Sequence, residues 1–179
     1  VDGSFLLGES AEIKGFFLGC GMNSVGVATG SGAGMALAHC IIHGRTPMDL
    51  PEADPKRFPD EMCSIKVLSE RVPEVLGKHY EITFPGRQWN TSRGLRESPL
   101  ASLWKQHHAH FGQFYGWERP LYFGSHGETE LTFNRPEWFE AVGNEVLQAH
   151  NQAALFDQST LGKIRVEGKD SESFLQRVF

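Results

Sequence analysis

Three groups of residues in this 179-residue chain have the types and spacing that chemistry needs. The first is glycine-rich: Gly26-Val27-Ala28-Thr29-Gly30-Ser31-Gly32-Ala33-Gly34, after the apolar run Gly15-Phe16-Phe17-Leu18-Gly19-Cys20-Gly21. A strand, then glycines, then a helix is the layout of a ligand-binding turn. Glycine lets backbone come close to a cofactor, and a helix N-terminus offers free N–H groups and partial positive charge. The spacing Gly30-x-Gly32-x-Gly34 is not G-x-G-x-x-G, the gap before the helix is long, and no acidic residue stands at the ribose-binding distance. Cofactor contact and close helix–strand packing both remain open from the residues alone. The second group, His107-His108-x-His110, has the look of a metal cluster but lacks a matching Cys or carboxylate. A solvated helix end, with His107 and His110 on one turn, is the plainer reading. The third is Asp157 before Ser159, which reads as a local cap or pair.

The elements that must position these groups follow from periodicity. Phe5 to Glu9 reads as a short strand after the Asp2-Gly3 turn, and Gly15 to Gly21 as a buried strand, open to parallel pairing. A helix is expected over about 35–43, closed by Gly44. Thr46 to Asp60, with Pro47, Pro51, Pro55 and Pro59, reads as an extended connector. Ile65, Leu68, Val72 and Leu76 share one face of a second helix, which Pro73 should kink or restart. Tyr80–Pro85, Ala154–Asp157 and Lys163–Glu167 read as strands. Ser98-Pro99 opens a helix, and Gly116-Trp117-Glu118-Arg119-Pro120 reads as a structural corner with an ion pair. A helix is expected over about 141–151, and Asp170 caps a last one.

Composition narrows the class. The net charge is −5, with 40% hydrophobic and 22% charged residues, as in ordinary globular proteins. That balance gives no pull toward nucleic acid or anionic membrane, and no apolar run is long enough to span a bilayer. The aromatic density from Phe111 to Phe123 lacks the basic surroundings of a base-stacking surface. Cys20, Cys40 and Cys63 are neither a disulfide framework nor a zinc set, and are expected as buried free thiols. A start at Val1 and an amphipathic stretch running to Phe179 suggest a piece of a longer polypeptide, inactive alone.

Several motifs in order carry a resemblance. Asp2-Gly3-x-x-Leu6-Leu7-Gly8-Glu9, the run Gly15 to Ser24, the glycines to Gly34 and Ile42-His43-Gly44 resemble the end of the flavin domain in the sarcosine and dimethylglycine dehydrogenase family. Asp54-Pro55-x-Arg57-Phe58, Arg71-Val72-x-Glu74-Val75-Leu76-Gly77, Arg93-Gly94-Leu95-Arg96 and Gly116 to Pro120 resemble its linker. Leu155-Phe156-Asp157-x-Ser159-x-x-Gly162-Lys163 resembles the start of its aminomethyltransferase domain. The resemblance implies a mixed α+β and α/β chain. Its parts would be the end of an FAD-dependent oxidoreductase domain (1–54), a central linker domain (55–116) and the start of a folate-binding domain (117–179). It implies FAD near Gly21, Met22, Asn23, Ser24, Gly32 and Gly34, and tetrahydrofolate in the full-length protein. No catalytic residue and no metal site is carried over.

The implied reaction is oxidation of an N-methyl amine acid, with one-carbon transfer to tetrahydrofolate. The implied partners are a small-molecule amine substrate and an electron-acceptor protein, not nucleic acid or membrane. The compartment would be cytoplasm in a bacterium and mitochondrial matrix in a eukaryote. Two alternatives stand beside this: a non-catalytic relative resembling the regulatory subunit of pyruvate dehydrogenase phosphatase, and a folate-binding or interaction module.

Overall fold

Leu6 and Leu7 begin a short strand, β1 (Leu6–Glu9), that pairs antiparallel with β2 (Phe17–Cys20). The computed structural model describes residues 1–124 and 130–179. The short loop between these strands leaves no room for a crossover, so antiparallel pairing is the only option, not parallel. Glu9 steadies that loop by accepting from the Gly15 N–H at 2.7 Å. β2 is only partly covered, with Phe16 and Cys20 exposed. Of the three thiols only Cys40 is buried, because it alone lies on the inner side of the first helix.

That helix, α1, runs Gly26–His43 and ends on Gly44 in the left-handed region (φ 71°). It starts well before residue 35 and takes in the glycines. Only residues 21–25 separate it from β2, a short gap after all. Tertiary packing outweighs poor propensity here. Ala33, Ala36 and Cys40 form the buried side, and Ala33 and Ala36 join Leu7 and Ala53 in a small core edged by Phe5, Met22, Leu37 and Leu50. The tight helix–strand approach is at Gly19, where a Cβ would lie 3.1 Å from Leu37 Cδ2. At Gly30, Gly32 and Gly34 a Cβ would meet nothing within 4 Å, so close packing does not account for these three.

The proline-rich connector folds back onto this unit. The Leu7 N–H donates to the Ala53 carbonyl at 2.8 Å. Two 3₁₀ turns follow, Pro55–Arg57 and Asp60–Met62. Arg57 grips Asp2 with both sides of its fork, Nε to Oδ2 at 2.9 Å and Nη2 to Oδ1 at 3.0 Å.

α2 (Ile65–Gly77) runs through Pro73 unbroken, with the Ser64 hydroxyl accepting from Val67 N–H at its start. Its buried residues are Val67, Arg71 and Val75. Ile65 (82% exposed) and Leu76 (59%) face outward. The apolar pattern misassigned the face because the residue at its centre is an arginine. Arg71 is 1% exposed and donates to the Thr91 hydroxyl, the Thr91 carbonyl and Gln113 Oε1. Glu74 accepts from Lys78 at 2.6 Å and from the Asn90 and Thr91 N–H groups at 2.7 and 2.9 Å. The chain at 80–85 forms no strand, and Tyr80 and Ile82 are exposed.

β3 (Arg96–Glu97) lies parallel to β5 (Trp117–Phe123), which pairs antiparallel with β4 (Ala109–Phe114). The Trp117 segment is therefore strand, not corner. Tyr115 and Gly116, both at positive φ (48° and 80°), make the two-residue turn that the sheet twist favours. Alternation along β5 sends Glu118 inward, where Arg93 meets it at 2.5 Å and Gly94 N–H at 2.8 Å. α3 (Ala101–Gln106) starts two residues later than Ser98-Pro99 suggests, though the Ser98 hydroxyl accepts from Leu100 N–H at 3.1 Å.

α4 (Phe139–Asn151) and α5 (Ser171–Val178) complete the chain. The Asp170 side chain makes no cap bond to α5. Residues 154–157 and 163–167 are not strands. A strand exists only against a partner, and none lies beside them among the described residues. Ile164 is accordingly 91% exposed.

Two outcomes are expected. Arg71→Met should lower stability by about 3 kcal/mol, read by urea denaturation, since it strips partners from a buried polar set. Burial alone would raise the Glu74 pKa, but Lys78, Thr91 and Asn90 pull it down from 4.5 to about 2. A depressed pKa stabilises the fold above the ordinary value and is lost as pH falls through the folded one. Urea midpoints should therefore drop between about pH 4.5 and pH 2, and Glu74→Gln should flatten that drop.

Candidate functional site

The turn between β2 and α1 contains four of the six residues singled out for the flavin. Gly21, Asn23 and Ser24 all have positive φ (74°, 38° and 73°). The Asn23 amide donates to the Gly3 carbonyl at 2.8 Å, tying the turn to the N-terminal Asp2-Gly3 bend. Its Nδ2 is thus engaged by the chain itself. The Met22 carbonyl accepts from Val25 N–H at 2.9 Å, and its sulfur accepts from the Thr29 hydroxyl at 3.7 Å. The Met22 side chain packs against the Leu7 core. Ser24 is exposed.

α1 then begins with no side-chain cap and no acidic residue in its first turn. Val27, at this end, is fully exposed. The first N–H groups are thus open, a setting that favours a negative group. Gly32 and Gly34 lie further along α1 in its exposed part, with free space where a side chain would be. Each glycine inside a helix costs roughly 0.5–1 kcal/mol relative to alanine. No neighbour in the chain needs the room, so the turn and this face of α1 are open to a group from outside the chain.

The histidines do not form one group. His107 and His108 end α3 and are exposed, whereas His110 sits in β4 and stacks on Tyr122 at 4.4 Å. Among the described residues no set of His, Cys, Asp and Glu is arranged to hold a metal.

Asp157 does more than pair locally. Its Oδ1 accepts from Ser159 N–H at 2.9 Å, while Oδ2 accepts from the Ser98 hydroxyl at 2.5 Å and Trp104 Nε1 at 3.0 Å. Burial by itself would raise its pKa, but bonds from Ser159, Ser98 and Trp104 outweigh it and hold the carboxyl well below the usual range. It is a strut between the chain near 157 and the start of α3. Nothing at spacing level signals this, because the partners lie more than fifty residues away.

The sequence also matches known families. Residues 43–98 match the FAD dependent oxidoreductase central domain, and residues 100–179 match the GCVT N-terminal domain. The chain is 32% identical to human mitochondrial sarcosine dehydrogenase, over 97% of this chain and 22% of that protein. The chain thus carries the match to the oxidoreductase central domain and then that to the GCVT N-terminal domain, and it is similar to sarcosine and dimethylglycine dehydrogenases. It is equally 32% identical to 4-methylaminobutanoate oxidase (formaldehyde-forming) of Paenarthrobacter nicotinovorans, over 95% of this chain and 21% of the relative. The mouse mitochondrial pyruvate dehydrogenase phosphatase regulatory subunit matches at 32%, over 97% and 21%. The chain spans about a fifth of the length of these relatives. The mixed α/β structure accords with the two domain models that match. No helix among the described residues is long and apolar enough to cross a membrane.

Two substitutions test the site's construction. Ser24→Gly should leave stability unchanged or raise it by up to about 1 kcal/mol, since it relieves a left-handed residue. Asp157→Ala should lower stability by roughly 1–3 kcal/mol, because the buried Ser98 hydroxyl loses its acceptor. Thermal melts read both.

Proposed function

We propose that this chain is the part of an FAD-dependent oxidoreductase in which the flavin domain ends and the linker and aminomethyltransferase-like regions follow. The reaction is oxidation of an N-methyl amine acid of the sarcosine or dimethylglycine type. Gly21, Met22, Asn23 and Ser24 form the turn beside the cofactor, and Gly32 and Gly34 keep the adjoining helix surface clear. When bound, FAD supplies the two-electron acceptor. The uncapped first turn of α1 presents N–H groups and partial positive charge to the edge where negative charge gathers on reduction. The Asn23 bond to Gly3 fixes the turn, so those donors are set before substrate arrives.

Loss of hydride from the N-methyl carbon converts the amine to an iminium. Tetrahydrofolate, held in the aminomethyltransferase-like domain of the complete protein, would take the one-carbon unit. Its partners are then the small amine substrate and an electron-acceptor protein. By analogy with the human and mouse relatives, a eukaryotic version would work in mitochondria. The observation that carries the reading is the uncapped N-terminus of α1, behind which the glycines have no packing neighbour.

A second reading is favoured by the equal similarity to the phosphatase regulatory subunit: a non-catalytic protein acting through protein partners. One experiment separates the two. The full-length protein is purified and mixed anaerobically with sarcosine, dimethylglycine or 4-methylaminobutanoate. Bleaching of its flavin absorbance by any of these supports the enzyme. Retained flavin that none of them bleaches points to the regulator, and failure to hold flavin at all sinks the oxidoreductase reading.

A further inference from the structure

A cavity of about 420 Å³ lies where the connector, β3, β5 and the loop at 160–161 meet. Lys56, Arg57, Arg96 and Arg119 line it, together with Trp117 and Thr160, and none of its lining residues is acidic. In a chain of net charge −5, such a concentration of cations needs a cause.

The backbone produces it. Arg96 and Trp117 are register partners in the parallel pair of β3 and β5. Arg119 is two residues beyond Trp117 and so on the same face, while Glu118 between them points inward to Arg93. The one carboxylate of this stretch is thereby withdrawn from the cavity. Arg57 is satisfied by Asp2. Lys56, Arg96 and Arg119 have no ion-pair partner among the described residues. The Arg96 guanidinium lies over the Trp117 ring at 4.2 Å and that of Arg119 lies 5.8 Å from the Phe114 ring, and neither donates a side-chain hydrogen bond among the described residues.

A second observation is independent of charge. Thr160 Oγ1 is the one buried side-chain polar atom without a hydrogen-bond partner among the described residues, and Thr160 lines this same cavity. A buried hydroxyl without a partner is an unmet hydrogen-bonding demand that a ligand atom reaching it would satisfy.

We propose that this cavity binds a small organic polyanion, one bearing at least two carboxylate or phosphate groups. Arg96 and Arg119 each take one group through their forks, Lys56 adds a further positive charge, Trp117 offers a flat wall, and Thr160 bonds a polar atom of the ligand. The site stands apart from the turn before α1 and does not depend on the flavin reading.

Isothermal titration of the full-length protein at low ionic strength tests it, with citrate in one arm and pyrophosphate in the other. Saturable binding of citrate supports a polycarboxylate ligand, and saturable binding of pyrophosphate a phosphate one. In either arm Arg96→Ala and Arg119→Ala should each weaken binding about tenfold, the loss expected for a charge-assisted bond. Thr160→Val keeps shape and should weaken binding a few-fold without lowering the melting temperature. This variant keeps the test decisive even where the arginine variants fold poorly. No binding in either arm, or binding that all three substitutions leave unchanged, overturns the proposal.

Discussion

The guanidinium of Arg71 is the constraint around which the middle of the chain is arranged. It is the most completely buried large side chain, and it cannot lose its charge. Burial lowers its pKa somewhat while Glu74 raises it, so the fold must supply acceptors from every side. Thr91 and Gln113 do so, and they fix the loop before β3 and the strand β4 against α2. Glu74 then has to be held as well, and it takes the Asn90 and Thr91 N–H groups. The polar stretch from 86 to 95 forms no regular structure, yet it is among the most tightly bonded parts of the molecule.

Two further carboxylates act in the same way over longer distances. Asp2 is gripped by Arg57, which draws the N-terminal bend onto the connector. Asp157 receives Ser98 and Trp104, which ties the chain beyond α4 to the start of α3. The apolar core proper is small, centred on Leu7, Ala33, Ala36 and Ala53. Polar struts with more than one bond each therefore carry much of the organisation that a larger core would provide.

This balance explains which elements could be read from sequence. Gly44 as the end of α1 and the likeness to the matched domain families follow from local chemistry and ordered motifs. The α2 face does not, since a rule that counts apolar side chains passes over a buried arginine. The start of α1 lies earlier than its glycines suggest, because packing of Ala33 and Ala36 against Leu7 and Ala53 outweighs their poor helix propensity. Strands at 154–157 and 163–167 have the right composition but no partner edge. In the turn before α1 the positive φ of Gly21 follows from its residue type. The use of Asn23 to hold Gly3 does not, because the two are brought together only by the β1–β2 pairing.

The tight turn at Tyr115-Gly116 has a consequence for how the molecule assembles. Its two strands are neighbours in sequence, so the hairpin closes only a short loop, an event of roughly microseconds. The Asp2–Arg57 and Ser98–Asp157 bonds must each close a loop of more than fifty residues, with greater loss of chain entropy. Order in this chain thus spreads outward from the centre, and pulsed amide labelling during refolding would find β4 and β5 protected first. The turn before α1 is held through Gly3, 20 residues from Asn23, so it can form with the β1–β2 hairpin, and only the tie of Asp2 to Arg57 waits for the longer loop.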